Sequence, residues 1–461
     1  MNLSIDDIKR LRGVKIYNPE ITGNKKFSGV SIDSRKCGKS DLFIAIKGER
    51  FDGHAFVKQV LKKGTGCAVV NESWLKKNNN SSFKNKCLVA VKNTEKALGD
   101  IAREYRNKFV IPVMAIAGSN GKTSTKDLIS EVLSQKYNVL KTEGNLNNHI
   151  GVPLTLFRLN EKHELAVIEA GTNHFGEIEN LCRIAEPQYG LITNIGKEHL
   201  EFLKNIKGAA KAEGELAEYL NLVYGTLFLN TDDKYLAKLR RLKNIKTFGF
   251  GFSGRTEVKG RVKGFKKFFP EMEINYGDKK INTTLKNIGY QSANAALCAA
   301  AAGFYFDVPA RDIKKVLSGY SIESGRRNQL KNINGVTVID DTYNSNPDSV
   351  IAALKNLQAY NVKGNKFIVL GDMLELGKAS AKEHSGIGRL VKKMKFSYLL
   401  TYGPLSFNTF KAAKGVKNNY YFEDKAALAG FLKLLIKKGD VVLVKGSRSM
   451  KMEEVINLIS N

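Results

Sequence analysis

Apolar and polar positions change rhythm three times along this chain of 461 residues. Up to about residue 107, apolar runs at 30–32 and 42–46 read as strands, and the spacing over 54–63 predicts a helix. The Asn/Ser insert at 78–82 predicts a surface loop. Beyond residue 108 strand-like runs alternate with helical patterns: 110–117 then 123–136, 165–170, 190–195 then 206–220, and 226–230 then 234–241. Such alternation predicts a parallel sheet with crossover helices. The stretch 247–285 is β-like and rich in Lys and Gly, a β-hairpin excursion, and an alanine-rich helix follows at 292–303. From about 321 a third block carries strands at 336–340, 367–371, 397–401 and 441–444, with helices at 349–358, 383–393 and 425–437 between them. The reading is an α/β protein of three domains: a small α/β unit at 1–107, a parallel-sheet unit at 108–320 and a Rossmann-like α/β unit at 321–461.

Candidate chemistry starts where the first run of the central block ends. An apolar strand leads into Gly118-Ser119-Asn120-Gly121-Lys122-Thr123-Ser124 and then a helix. Gly118 and Gly121 let backbone N–H groups approach phosphate oxygens, and the helix N-terminus adds its positive end. Lys122 can reach β and γ phosphates, and the Thr123 hydroxyl can hold Mg²⁺. Ile116 stands where the longer phosphate-loop pattern has its first glycine, so only the short form G-x-x-G-K-T is present. The central block is therefore P-loop ATPase-like.

Composition narrows the setting. The 74 Lys and Arg against 45 Asp and Glu give +29, which suits anionic substrates or nucleic acid. The five cysteines are scattered without C-x-x-C spacing, against a disulfide scaffold or zinc fingers and in keeping with a reducing compartment. No signal peptide and no membrane-spanning run is indicated.

Further motifs follow in order. Asn145, Asn147, Asn148, Gly151 and Pro153 crowd residues 142–156 into a shaped polar loop rather than a helix. Glu169 ends an apolar strand, where ligands of open α/β sheets sit. His199 follows another strand after Thr193-Asn194, and Lys211 and Glu213 lie on the next helical pattern. Asn294 opens the alanine-rich helix; with the Tyr290 ring it can serve an adenine, although Tyr290 is equally readable as part of a helix cap. Asp340-Asp341-Thr342-Tyr343-Asn344-Ser345-Asn346-Pro347 runs from a strand end into a helix start, and Lys445-Gly446-Ser447-Arg448 follows the last strand. Near the N-terminus, Ser31, Asp33, Ser34, Arg35 and Lys47 offer polar groups and two cations able to balance a pyrophosphate.

Taken together, these runs resemble the Mur ligase family over essentially the whole chain. Within it, the runs at 167–178 and 340–347 are similar to those of the member that adds D-alanyl-D-alanine, and the Asp-Asn-Pro-Arg run of the diaminopimelate-adding member is missing. The resemblance implies a UDP-binding N-terminal domain, a central ATP-binding domain and a C-terminal domain that takes the incoming dipeptide. It implies ATP and UDP-N-acetylmuramoyl-tripeptide as partners of D-alanyl-D-alanine, and a bacterial cytoplasmic monomer without nucleic acid or membrane insertion. It gives catalytic roles to Lys122, Glu169 and His199, with Mg²⁺ on Thr123, Glu169 and His199. Gly118 to Ser124, Asn294, Arg326 and Asp340 fall to the nucleotide. Ser31, Asp33, Ser34, Arg35, Lys47, Asn145, Asn147, Asn148, Tyr343, Asn344, Asn346, Lys445, Ser447 and Arg448 fall to the other substrates.

One departure bears on the metal. The family carries a carbamylated lysine where alignment on Gly214-Glu215-Leu216 places Glu213. Lys211 and Glu213 lie about 200° apart at ~100° per residue. Either Glu213 supplies the carboxylate directly, the favoured reading, or a shifted helix presents a modified Lys211. Rival functions are a sister ligase of the family, a folylpolyglutamate synthetase and, from another class, a basic nucleic-acid-associated ATPase.

Overall fold

The computed structural model describes residues 1–48, 51–78, 83–321 and 329–460. All of the expected loop at 78–82 except Asn78, and Arg326, lie outside the described residues. Three sheets organise the chain. The first holds β1 (Lys15–Tyr17), β2 (Val30–Ser31), β3 (Leu42–Ile44), β4 (Cys67–Asn71) and β5 (Leu88–Val91) in the order β1-β5-β4-β3-β2. The second holds β6 (Val113–Ala117), β7 (Val139–Lys141), β8 (Leu165–Glu169), β9 (Tyr189–Ile192), β10 (Thr226–Asn230), β11 (Lys246–Gly251), β12 (Val258–Lys266), β13 (Phe269–Tyr276) and β14 (Lys279–Thr284). Its order is β14-β13-β12-β11-β10-β9-β6-β8-β7. The third comprises β15 (Gln329–Ile333), β16 (Val336–Asp341), β17 (Lys366–Leu370), β18 (Tyr398–Tyr402), β19 (Asn418–Phe422) and β20 (Val441–Lys445), ordered β15-β16-β20-β17-β18-β19.

The central sheet positions the chemistry. β6 pairs in parallel with β8 on one side and β9 on the other. All five residues of β6 and of β8 are buried, because helices cover both faces and alternation is not needed. On one face the helix Lys122–Leu133 packs against the alanine-rich helix Gly289–Tyr305 through Ile129, Val132 and Ala300. Small side chains permit that approach; a Cβ on Gly303 would lie 2.7 Å from Val132 Cγ1. The other face is covered by Ile178, Ala212 and Leu216 from the helices Glu177–Ala185 and Ile206–Leu222. The helix Thr94–Arg106, capped by Asn93, joins the first sheet to the second, since Leu98 and Ile101 share a core with Leu156 and Ile184.

Several expectations need correction. The strand expected from 110 begins at Val113, and Val110 is fully exposed. The expected helix over 234–241 is a short 3-10 segment, Leu236–Arg241. The 142–156 region is not all loop: Asn148 Oδ1 accepts from the N–H groups of Ile150 and Gly151, and a helix runs from Gly151 to Leu156. Burial of Val152 and Leu156 in the shared core outweighs the turn-rich composition. The 247–285 excursion begins with β11, which pairs in parallel with β10 before β12, β13 and β14 turn antiparallel. The short strands β1, β15 and β19 and the helix Thr94–Arg106 were not singled out by pattern.

Asp7 ties the N-terminal helix to the start of the central unit. It accepts from Ser4 N at 2.8 Å and from Lys108 Nζ at 2.6 Å. Burial pushes its pKa up, but the bonds from Lys108 and Ser4 outweigh this and hold it below the ordinary carboxylate value. A depressed carboxylate stabilises the fold above its unfolded pKa of about 3.9 and loses that contribution as pH falls through the folded value. Asp7→Asn should therefore cost about 1–3 kcal/mol in urea unfolding at neutral pH, and the gap should close in acid; a gap that persists unchanged at acidic pH would refute the assignment.

Candidate active site

Three strand ends meet at one edge of the central sheet. β6 runs into the phosphate loop, β8 ends on Glu169, and β9 leads to Thr193 and Asn194. Gly118 has φ of +116°, and a Cβ there would lie 2.2 Å from Thr193 Oγ1. Glycine is required on both counts. Gly121 is also left-handed and precedes Lys122 without a side-chain cap, so the first N–H groups of the helix are open to an anion. Asn194 Oδ1 accepts from Asn120 N, while Thr193 Oγ1 and Asn194 Nδ2 donate to Asn120 O. The loop's shape is thereby set before any ligand arrives. Ser119 Oγ accepts from Gly196 N at 2.8 Å, extending the same brace.

Glu169 is 1 % exposed. Its Oε1 accepts from Thr123 Oγ1 at 3.1 Å and from Asn147 Nδ2 at 2.9 Å. Its Oε2 is buried without a hydrogen-bond partner among the described residues. Lys122 Nζ donates to Gly118 O at 2.6 Å and lies 3.8 Å from Glu198 and 3.9 Å from Glu213. Glu213 is fully buried, and its Oε2 accepts from Gly118 N at 2.5 Å. Burial drives its pKa well up, opposed by Lys122 and reinforced by Glu198. Lys211 faces elsewhere: it is exposed, with its ammonium over the Phe175 ring at 5.5 Å. His199 Nδ1 lies 2.7 Å from Glu375 of the third unit. Among the described residues no three His, Cys, Asp or Glu side chains converge as a ready metal cage.

A cleft of about 830 Å³ separates the phosphate loop from the third sheet. Ser119, Asn120, Gly121 and Ser124 line one wall; Tyr343, Asn344, Asn346, Lys445, Ser447 and Arg448 line the opposite one. Asn145 and Asn294 also line it. Tyr290 does not: its ring packs edge-on to Phe265 at 5.0 Å, and its N–H donates to Asn356. Tyr320, Leu317 and Gln291 form that wall instead. Of the aspartate pair, Asp341 lines the cleft and binds the buried Lys445 at 2.7 Å, whereas Asp340 pairs with Lys331 at 2.8 Å.

The N-terminal candidates are not brought into this cleft. Arg35 forks onto Asp33 at 2.9 and 2.8 Å and holds that carboxyl down to about 2. Ser31 Oγ donates to Asp33 O, and Lys47 bridges to Asp52 through its backbone, while Ser34 lies in the same loop. Asn148 serves as the cap described above. Sequence reasoning gave no site role to Glu198, Tyr320, Asp341 or Glu375, although Asp341 and Glu375 lie in the runs 340–347 and 371–377 that resemble the family. Glu198 carried a weak signal, its place beside His199; the others are assembled only by folding.

Comparison with known proteins agrees with this layout. Residues 26–106 match the Mur ligase family catalytic domain, 116–303 the Mur ligase middle domain, and 325–448 the Mur ligase glutamate ligase domain. The chain is 34% identical over 443 residues to the UDP-N-acetylmuramoyl-tripeptide–D-alanyl-D-alanine ligase of Bacillus subtilis, covering 93% of this chain and 92% of that one. It is 33% identical to the enzyme of that name from Escherichia coli, covering 96% of each. Among solved structures, MurF from Acinetobacter baumannii superposes with a TM-score of 0.85 at 28% identity, covering 97% of this chain and 100% of that one. MurF ligase from Thermotoga maritima in complex with ADP gives 0.81 at 26%, covering 94% and 97%. With three successive domain matches and relatives aligned over nearly its full length, the chain belongs to the Mur ligase family.

Proposed function

We propose that this protein joins D-alanyl-D-alanine to UDP-N-acetylmuramoyl-tripeptide, using ATP, in peptidoglycan precursor synthesis. The relatives that carry that name supply the substrates. The observation that carries the reading is the phosphate loop: Thr123 bonds Glu169 behind it, while Ser119, Asn120, Gly121 and Ser124 line an 830 Å³ cleft opposite Lys445 and Arg448. No helix among the described residues is long and apolar enough to cross a membrane. We assign residues 1–107 to the UDP end, 108–320 to ATP and 321–461 to the dipeptide.

The reaction requires no protein nucleophile. A carboxylate oxygen of the tripeptide attacks the γ phosphorus of ATP, and ADP leaves. The amine of D-alanyl-D-alanine then attacks the acyl carbon; phosphate departs and the amine loses its proton. The open N–H groups at the start of the helix Lys122–Leu133 and the Lys122 ammonium bind phosphate oxygens. Tyr320, Leu317 and Asn294 form the wall suited to the base. The basic wall of Lys445 and Arg448 suits the dipeptide carboxylate. Closure of the third unit over the loop excludes water and aligns both substrates.

The oxygen donors fit Mg²⁺. Thr123 Oγ1 bonds Glu169 Oε1, the same carboxylate has its Oε2 without a partner among the described residues, and this ion needs only one or two protein oxygens besides water and phosphate. Bound there, it would neutralise charge on the transferred phosphoryl group. His199 meets Glu375 through Nδ1, so a metal would be held through its other ring nitrogen, Nε2. The burial of Glu213 against the loop, with Lys211 turned to Phe175, supports Glu213 as the carboxylate that stands for the modified lysine.

Phosphate release from Mg-ATP should require both the tripeptide precursor and D-alanyl-D-alanine, with a pentapeptide product by mass; release with L-alanine, D-glutamate or L-lysine and its matching precursor instead would overturn the assignment. Lys122→Ala and Glu169→Ala should each lower kcat by about 10²-fold or more while circular dichroism stays native, and near-wild-type turnover in either would remove that residue from the site. Turnover should be insensitive to bicarbonate depletion. A clear bicarbonate requirement would transfer the role to Lys211.

A further inference from the structure

The position of Lys122 poses a charge problem. Its ammonium does not line the cleft; it is folded back onto its own loop, bound to Gly118 O at 2.6 Å. There it lies 3.8 Å from Glu198 Oε2 and 3.9 Å from Glu213 Oε1. Both carboxyl groups are more than nine-tenths buried. Glu198 Oε1 and Glu213 Oε1 receive no hydrogen bond from a donor group among the described residues, and the two carboxyl groups lie within hydrogen-bond reach of each other. Two short acidic side chains thus reach one buried gap from different elements: Glu213 from the helix Ile206–Leu222, and Glu198 from the loop after β9. The Lys122 side chain, 15% exposed, supplies the nearby positive charge.

We propose that Glu198 and Glu213 form an exchangeable cation site, holding the Lys122 ammonium when no nucleotide is bound and a divalent cation once Lys122 has turned to the phosphates. The inference rests on the ATP reading above and adds Glu198 as a cation-positioning residue. Its physical basis is that a buried carboxylate is costly without a partner. If Lys122 leaves for the β and γ phosphates, the pair loses its counter-charge. A hard cation with oxygen ligands restores it, and the two facing carboxyl groups, whose Oε1 atoms meet no donor among the described residues, are the available ligands. A single Glu has a shorter reach than a carbamylated lysine; a second carboxylate from the facing loop makes up the difference. Because ammonium and cation compete for one gap, nucleotide and cation binding are positively coupled, each favouring the other.

The test is direct Mn²⁺ binding to the full chain by electron paramagnetic resonance, so that turnover is not the readout. Without nucleotide, Lys122→Met should bind Mn²⁺ at least about tenfold tighter than the wild type, within the usual range of coupling. Adding Glu198→Gln or Glu213→Gln to Lys122→Met should abolish that gain. In the wild type, ADP should tighten Mn²⁺ binding at the same pair, and Glu198→Gln should weaken that effect. Unchanged Mn²⁺ affinity in Lys122→Met, or a gain that survives Glu198→Gln, overturns the proposal. Should Lys122→Met fail to fold, the wild-type and Glu198→Gln comparison with ADP decides alone, and equal Mn²⁺ affinity in the two overturns it. A fluorescent ADP titration of the wild type separates the two readings: no ADP binding sinks the nucleotide assignment, while the nucleotide-free Mn²⁺ arms still judge the carboxylate pair.

Discussion

The approach of the β6 loop to the β9 loop is the constraint on which the site depends. Gly118 lies against Thr193 so closely that a single Cβ would overlap its hydroxyl. That contact lets Asn120 exchange hydrogen bonds with Thr193 and Asn194, and it brings the Gly118 N–H onto Glu213. The phosphate loop is therefore braced from behind by neighbouring strand ends and by a helix on the opposite face. Donors fixed in this way need no reorganisation when charge develops on a transferred phosphoryl group.

The same loop reads the position of the third unit. Asn346 Nδ2 donates to Asn120 Oδ1 at 3.0 Å, and Asp348 accepts from Lys197 N at 2.6 Å. Lys197 Nζ binds both oxygens of Glu383, at 2.8 and 2.9 Å, and His199 meets Glu375. Residues next to the carboxylate Glu198, namely Lys197 and His199, thus carry three of the inter-domain partnerships. The short segment 194–199 takes part both in docking the C-terminal unit and in the charged pocket, while Asn120, Tyr290, Gln291, Phe265 and Phe268 supply further contacts to that unit. This is the arrangement expected where catalysis is chiefly positioning rather than covalent chemistry.

Charge is distributed unevenly for a chain of net +29. Most cations are on the surface, but at the nucleotide edge buried carboxylates outnumber them: Glu169, Glu198 and Glu213 are all buried around one phosphate loop. A polyanionic nucleotide alone would be repelled there. On the proposed reading, divalent cations brought with the nucleotide would balance this surplus of acid, since such ions invert the local sign.

The sequence by itself determined the three α/β units, the phosphate loop and the strand-end carboxylate Glu169. Apolar periodicity, glycine placement and strand ends are local properties, and local physics governs them. It also marked Glu213 as a departure, through its offset from Lys211. Short strands such as β1 and β15 escaped, because a few residues hold no period. The helix Gly151–Leu156 escaped because its stability comes from burial of Val152 and Leu156 in a distant core. Only the tertiary structure decided that Tyr320 rather than Tyr290 walls the cleft, that Asp341 rather than Asp340 faces it, and that Glu198 joins Glu213 beside Lys122. Those outcomes turn on which side chains meet from elements far apart in sequence, and spacing along the chain carries no information about distances across a fold.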